Sequence, residues 1–312
     1  MTTNVVRFCA SARIFFAVLV AGLLLTAPSA QAALVYALTD ENDLLSFDSA
    51  SPEDLIGNAN ITGLIGSNSE DLIGIDIRPA NNLLYGVSDE GNIYTINPAN
   101  GLASYVSTVS VALTGSRFGV DFNPVPDRLR IVSDLDQNLR VNVATGVALV
   151  DTPLQYGVGP GFGVNPNVTA AAYTNSFGPS PRLVPPGIGT TLYAIDVRAA
   201  NDRLVIVNPP NAGTLQIVGP LGVNVGSLTG FDILTQGVNQ FGFAALQPVS
   251  SGVHQFYSIN LGTGAASLIG TIGGGELIDG IAVTGSFIPE PTTAALMAGG
   301  LLAGIFIRRR TR

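Results

Sequence analysis

The chain has 312 residues, 46% of them hydrophobic and only 12% charged, with 37 Gly and 19 Pro. That apolar content supports a substantial core and excludes a disordered chain, and the Gly and Pro suit a turn-rich all-β protein. All 14 basic residues are Arg, and between residues 33 and 288 there are 8 Arg against 21 Asp and Glu, a net of −13, which excludes nucleic acid as a partner.

Residues 1–32 have the parts of a secretory signal: Arg7 and Arg13, then the apolar run Ile14–Leu25, then Ala30-Gln31-Ala32. Signal peptidase is expected to cut between Ala32 and Ala33. The run is too short to span comfortably as a permanent helix. Cys9 is the only cysteine, so no intramolecular disulfide forms, and it leaves with the signal.

From Ala33 the pattern is one of short strands. LVYALTD, the turn Asp40–Asp43, LLSFDS and a weaker segment Leu55–Ile65 read as the second, third and fourth strands of a unit without a first. A complete unit follows: Leu72–Arg78, Leu83–Ser88, Ile93–Asn97 and Leu102–Val109. Apolar and polar residues alternate in it, and PANN, DEGN and PANG separate its strands with turn formers. The next copy runs from Phe118 to Thr152 (FGVDFNP, LRIVSD, LRVNVA, VALVDT). A fourth starts at Val168, is interrupted over Ser176–Thr190, and resumes as TLYAIDV, RLVIVN and TLQIVG. The fifth covers Leu228–Ile272, and a lone strand follows at Leu277–Val283.

The repeat is tightest at the third turn, where TINPANG, RVNVATG, IVNPPNAG and SINLGTG each place Asn shortly before Gly. A period of about fifty residues signals radial β repetition. The lone strand resembles the first strands GIDI, GVDF and GFDI, so pairing it with Leu34–Thr39 completes the N-terminal unit and removes two open edges. The expected fold is an all-β propeller of five four-stranded blades, closed by strands from both ends. Six blades would need the long fourth unit to split, which its turns do not support.

After Val283 the pattern stops. Pro289-Glu290-Pro291, the apolar run Thr292–Ile307 and the cluster Arg308-Arg309-Arg310 resemble the PEP-CTERM sorting signal of exported bacterial proteins. The resemblance implies an exosortase that recognises Pro289, Glu290 and Pro291 and removes the tail, after transient anchoring in the inner membrane. It also implies a link to cells that make exopolysaccharide. The run is somewhat short for a transmembrane helix, and the Arg cluster would hold the terminus in the cytoplasm; a permanent anchor is the alternative. The body, with units such as LIGIDIRPANNLLYGVSDEGNIYTINPANG, resembles the bacterial domain of unknown function 4394 family. That resemblance implies a propeller-like exported domain and brings no catalytic residues. The expected division is signal peptide 1–32, propeller 33–285 and sorting signal 286–312.

Candidate chemistry is sparse. His254 is the only histidine, and without a Ser-His-Asp set or HExxH it reads as a strand residue. Asp134–Asn138 imitates a calcium loop, but Leu139 and Thr145 stand where Gly and Glu belong, so it reads as a hairpin turn, as does Asp40–Asp43. Gly157–Gly161 is no phosphate loop, since Pro166 and β-type sequence follow it. Asp76, Asp121 and Asp232 are sharper, each two residues after a first-strand Gly and so near the ring axis. They either bind calcium, the one candidate metal, or accept backbone N–H groups between blades. Ala282 takes that place in the closing blade. The insertion and the third turns are expected on one face; the second turns, carrying Asp40, Asp43, Asp89, Glu90, Asp134 and Asp136, form an acidic rim on the other.

Two functions follow. The first is a non-catalytic binding or structural module of the cell surface or extracellular matrix, without cofactor, attached to polysaccharide or surface protein. Acidic polymer would then need divalent cations to bridge it to the rim. The second is a metal-dependent propeller hydrolase or lyase using Asp76, Asp121 and Asp232.

Overall fold

The computed structural model describes residues 32–67, 69–176, 189–198 and 202–287. The signal segment to Gln31, residues 177–188 of the insertion, and the sorting tail from Ile288, with its apolar run, lie outside the described residues. Among those described, no helix is long and apolar enough to cross a membrane.

Blade 1 begins with β1 (Ala33–Thr39), β2 (Asp43–Asp48) and β3 (Ser51–Asn60). Blade 2 is β4 (Leu72–Arg78), β5 (Leu83–Ser88), β6 (Asn92–Ile96) and β7 (Ala103–Thr108). Blade 3 is β8 (Phe118–Asn123), β9 (Arg128–Ser133), β10 (Asn138–Val141) and β11 (Ala148–Val150). A two-residue strand, β12 (Gln155–Tyr156), precedes blade 4: β13 (Val168–Tyr173), β14 (Leu192–Asp196), β15 (Arg203–Val207) and β16 (Thr214–Pro220). Blade 5 is β17 (Val225–Gln236), β18 (Asn239–Pro248), β19 (Gln255–Ile259) and β20 (Ala266–Thr271), and β21 (Ile278–Phe287) ends the domain. Each blade is an antiparallel meander. As expected, β21 pairs with β1, with Val283 opposite Val35 and Gly280 opposite Leu38, and becomes the first strand of blade 1. The five first strands β4, β8, β13, β17 and β21 are successive neighbours around a closed ring.

Two elements differ from the sequence reading. β3 occupies Ser51–Asn60 rather than Leu55–Ile65. It is the outermost strand, where Pro52 costs no ladder bond, and from Ile61 the chain leaves the blade so that Thr62 bridges Leu102 in blade 2. β12 adds a fifth, parallel strand to blade 4, with Tyr156 opposite Leu215, and so covers the outer edge of β16.

The core lies between blades, because each sheet buries both faces against its neighbours; β8, β9 and β13 are almost wholly buried. Tyr85, Phe122 and Ile131 share the interface of blades 2 and 3. At the closing interface Phe47 stands edge-on to Phe256 at 5.1 Å, and Phe256 stacks on Phe243 at 5.4 Å.

The third turn explains the tightest repeat. Asn142 accepts the Gly146 N–H on its carbonyl (2.8 Å) and the Ala144 N–H on its side chain (3.1 Å). Gly146 has φ +70° and lies so close to blade 2 that a Cβ there would sit 1.9 Å from the Thr108 carbonyl oxygen. Its own carbonyl accepts the Ser110 N–H at 2.9 Å. The Asn-to-Gly turn is thus a joint between consecutive blades.

A chain ending at Gly275 would leave β1 without its inner partner and Asp232 without its Val283 donor. It is expected to aggregate or to lose its cooperative melting transition, read by light scattering and thermal denaturation. A melt like that of the intact domain would show that the two ends do not close the ring.

Candidate functional site

The Gly-x-Asp motif works as a unit at the axis. Gly74 lets β4 approach β8, because a Cβ there would come within 2.7 Å of Val120 Cγ2. A Cβ on Gly119 would meet the Ala171 backbone nitrogen at 2.5 Å. At that level the first strands leave a void of only about 10 Å³, room for at most about one water. Two residues further on, the carboxylates of Asp76, Asp121 and Asp232 converge, with one oxygen from each within 4.8 Å of the others.

Each carboxylate reaches the next blade. Asp76 accepts the Phe122 N–H (2.7 Å), Asp121 the Tyr173 N–H (3.1 Å) and Asp232 the Val283 N–H (2.5 Å). The equivalent positions in blades 4 and 1 are Ala172 and Ala282, which offer no acceptor to Ile233 and Ile77. Those two N–H groups turn instead to their own neighbours, Ile233 to Asp232 and Ile77 to Asp76, both at 2.6 Å. Three carboxylates therefore satisfy the equivalent N–H of all five first strands.

All three are buried, and none has an ion-pair partner among the described residues. Burial raises Asp76 well above the usual carboxylate range, and Asp232 adds to it. Asp121 is raised likewise, by burial, then Asp76, then Asp232, and burial pushes Asp232 up to about 6. Buried carboxylates without cations hold protons at pH values where exposed ones do not. Their hydrogen bonds match the reading in which they tie blades together. Among the described residues these are also the group placed to hold a metal; a calcium ion would find Asp121 Oδ2 without an N–H donor but would have to share the oxygens of Asp76 and Asp232 with theirs.

The constriction at the glycines separates two mouths. Above the carboxylates, on the face of the first and third turns, a cavity of about 300 Å³ is lined by Asp76, Asp232, Asn82, Thr235 and Ser176, where the insertion begins. On the second-turn face a cavity of about 250 Å³ collects Asp40, Asp71, Asp89 and Asp279 around Arg117. The expected acidic rim is thus partly a mouth. Other rim carboxylates are tied down: Asp134 accepts from Ser116 Oγ (2.7 Å) and Glu90 from the Ser67 N–H (3.0 Å). Sequence reasoning missed Asp71, Arg117 and Asp279. Asp279 lies 3.5 Å from Arg117; burial raises it to about 6, against Arg117 and with Asp40 and Asp71. The signal was there in Ile278-Asp279-Gly280, an Asp beside a first-strand Gly but one residue before it.

The remaining sequence candidates fall where hairpins and packing put them. His254 is fully buried; Nδ1 accepts the Ile278 N–H (3.2 Å), so Nε2 donates to the Leu228 carbonyl (3.2 Å). It fastens β21 to blade 5 as a neutral ring, and burial lowers its pKa to about 4. Asp134–Asn138 is the β9–β10 turn, with Asp136 at φ +65° and its N–H on the Ser133 carbonyl. Asp40–Asp43 is the β1–β2 turn, with Asn42 at φ +61°. No helix follows Gly157–Gly161.

Comparison with known families gives two matches. Residues 43–282 match the family described as Domain of unknown function (DUF4394). The chain belongs to this family. Residues 287–310 match the PEP-CTERM protein-sorting motif, which marks this DUF4394 chain as exported and sorted by an exosortase. No curated protein sequence matches it. Among solved structures it is similar to the PQQ-bound aldose sugar dehydrogenase of Streptomyces coelicolor at 16% identity and a TM-score of 0.32, over 48% of this chain and 46% of that one. The chain thus spans under half the length of that enzyme. A Lactobacillus plantarum protein aligns at 14% identity and 0.39, over 80% of this chain and 71% of its own. The Dos1 propeller aligns at 11% identity and 0.41, over 77% and 61%. Likenesses at this level carry no argument about activity.

The hydrogen bonds separate the three aspartates experimentally. Both oxygens of Asp76 and Asp232 hold N–H groups, so D76N and D232N set an amide NH₂ against a donor and should cost about 1–3 kcal/mol each. Asp121 holds one, so D121N keeps it, removes a repelling charge, and should gain on the order of 1 kcal/mol at pH 8. The pH profile should change too. Asp232 binds its proton in the folded state from about pH 6 but in the unfolded chain only near 4, so it adds stability as pH falls between them. His254 does the opposite from about 6.5 to 4, because only the unfolded chain takes up the proton. D121N removes Asp121, whose own raised pKa adds stability on acidification in the same direction, and should lose stability more steeply on acidification than the wild type. Urea denaturation at pH 8, 6 and 4.5 checks both; equal losses for all three variants at pH 8 would contradict the assignment.

Proposed function

We propose that the chain is a non-catalytic binding module, released at the cell surface or into the extracellular matrix, that attaches to polymer or neighbouring surface protein. The observation that carries this reading is that five of the six axial carboxylate oxygens, all but Asp121 Oδ2, accept the ring's own N–H groups. A hydrolase built on them would need a carboxylate free to take a proton from water or to hold a metal ion. His254, the only histidine, is buried with both ring nitrogens bonded to backbone. The sorting motif supports delivery to the outside, where a rigid ring presenting two unlike faces suits adhesion.

The test is retention on purified extracellular matrix with and without a chelator. With a net charge of −13 over residues 33–288, contact with acidic polymer through the rim carboxylates needs divalent bridges. Each is weak and screened beyond about 10 Å at 0.1 M salt. Retention should fall with chelator and return with calcium. Retention indifferent to chelator would exclude cation bridging, and cleavage of the polymer would replace the binding module with an enzyme.

Processing is expected at both ends, with a mature start at Ala33 and loss of the residues beyond Pro289-Glu290-Pro291. Intact mass of protein from the native host reads this directly. A main species still carrying Arg308–Arg312 would favour a retained anchor.

A further inference from the structure

We propose that the mouth at the second-turn end of the ring axis binds a sugar unit that carries a free amino group. This rests on the matrix-binding reading and names the chemistry of its contact. The mouth has a volume of about 250 Å³, and the constriction at the axial glycines closes it below. Pockets for drug-sized ligands start at about 300 Å³, so this one suits a single smaller unit. Its inner ring is made by the five residues one place before Gly74, Gly119, Ala170, Gly230 and Gly280. These are Ile73, Phe118, Thr169, Thr229 and Asp279, alike in place and unlike in chemistry.

The wall sets four carboxylates, Asp40, Asp71, Asp89 and Asp279, against one guanidinium, Arg117, a net of −3. Asp71 Oδ1 accepts from Asn42 Nδ2 (2.8 Å), and Asp89 Oδ1 accepts the Asp71 N–H (3.1 Å). Asp71 Oδ2, Asp89 Oδ2, Asp279 Oδ2 and both Asp40 oxygens accept nothing among the described residues. Arg117 reaches Asp279 at 3.5 Å, longer than the roughly 2.7–2.9 Å of a formed charge-assisted bond. The wall therefore lacks a cation. A bare metal ion does not fill that place, since among the described residues only the axial trio brings three ligand atoms within 4.8 Å of one another. These carboxylates are spaced for a cation with several atoms of its own.

The buried part of the mouth chooses the rest of the ligand. Thr169 and Thr229 are 1% and 2% exposed, and their hydroxyls share one hydrogen bond at 2.6 Å, the only one either makes among the described residues. Two hydroxyls carry two hydrogens, so one of them is left, buried and beside the cavity, without an acceptor. It calls for an oxygen on the ligand. Leu72, Ile73 and Phe118 lie beside the threonines and suit the C–H groups of a ring. The remaining lining residues decide nothing: Ser116 gives its hydroxyl to Asp134 (2.7 Å), and Ser227 is exposed. A lysine side chain entering here would bring its charge to the hydroxyls and leave its apolar stem among the carboxylates. A sugar ring turns an oxygen to the threonines and holds its ammonium against Asp279 and the exposed Asp40, Asp71 and Asp89. That ammonium supplies the positive charge that acidic polymer obtains only from a divalent bridge.

Calorimetric titration of the purified full chain with a glucosamine trisaccharide and with its N-acetylated counterpart tests the assignment, since acetylation removes the charge and keeps the ring. Chelator is present throughout, with salt at about 0.15 M to screen exposed charges beyond about 8 Å. The free-amine sugar should bind, and the acetylated one should bind at least tenfold more weakly. D279N should weaken the free-amine sugar roughly tenfold, the scale of one charge-assisted contact, and T169V should weaken it as well. D54N, an equal change of charge on the exposed part of β3, should leave binding unchanged, and thermal denaturation verifies that each variant folds. Absence of binding, equal affinity for the acetylated sugar, an equal effect of D54N, or indifference to both D279N and T169V would overturn the proposal. Tri-lysine binding as tightly as the trisaccharide would overturn the sugar in favour of a basic peptide. Wild-type retention on matrix that D279N and T169V leave unchanged would overturn the mouth alone. Loss of all matrix retention by the wild type would instead remove the reading on which it rests.

Discussion

Five β-strands meeting around one axis bring five backbone N–H groups to the same level, each on the inner edge of its sheet. An unpaired buried N–H costs on the order of 1–3 kcal/mol, and a ladder cannot supply the partner, because neighbouring first strands belong to different sheets. The chain answers with three carboxylates, two of which accept twice. This ties blade 2 to blade 3, blade 3 to blade 4, and blade 5 to the closing strand β21. The glycines two residues earlier are part of the same solution, since only without Cβ atoms do the strands come close enough for a side chain as short as Asp to span the gap.

That solution has an electrostatic cost that other ties in the ring avoid. Arg130, fully buried between blades 3 and 4, pairs with Asp151 at 2.7 Å and also donates to Tyr173, Asn138 and Asn211. Arg78 in blade 2 pairs with Asp127 in blade 3 at 2.5 Å. In both places a guanidinium compensates the carboxylate, and Asp151 pairs with Arg140 as well. At the axis no guanidinium among the described residues pairs with the three carboxylates, and burial favours a proton on them. His254 shows the converse: a neutral ring is tolerated in the core because both nitrogens find backbone partners.

Strand positions, the closing pair and the axial aspartates were legible because each follows from a local rule repeated along the chain. Alternation located Leu72–Arg78 and Leu83–Ser88 to the residue, and the lone Leu277–Val283 had only one open edge to fill. The sequence failed where blades bury both faces. In β9 every residue from Leu129 to Ser133 is buried, Arg130 included, so alternation could not tell an inward charge from an outward one. β12 was invisible because two residues carry no period, and β3 was misplaced because an outermost strand, largely exposed from Glu53 onward, shows little apolar alternation. The Arg117–Asp279 pair joins residues 162 apart in sequence, and the motif that marks the axis does not contain it.

The repeat also separates what the ring needs from what the molecule uses. Residues that recur at equivalent places, the axial Asp and the third-turn Asn and Gly, are accounted for by contacts between blades. Some residues that depart from the repeat, such as Arg130 and His254, share that duty, and others do not. The loop 157–167 occurs once and holds Val158 and Phe162 in solvent on a backbone of positive-φ glycines, Gly159, Gly161 and Gly163. Such a conformation is costly in entropy for the chain, and exposing an aromatic side chain adds nothing to folding. The loop nevertheless stands fixed, through Tyr156 and Asp196, on the same face as the Arg117 mouth. In a ring whose axis is lined by its own hydrogen bonds, this loop is a feature that neither the repeat nor packing between blades accounts for.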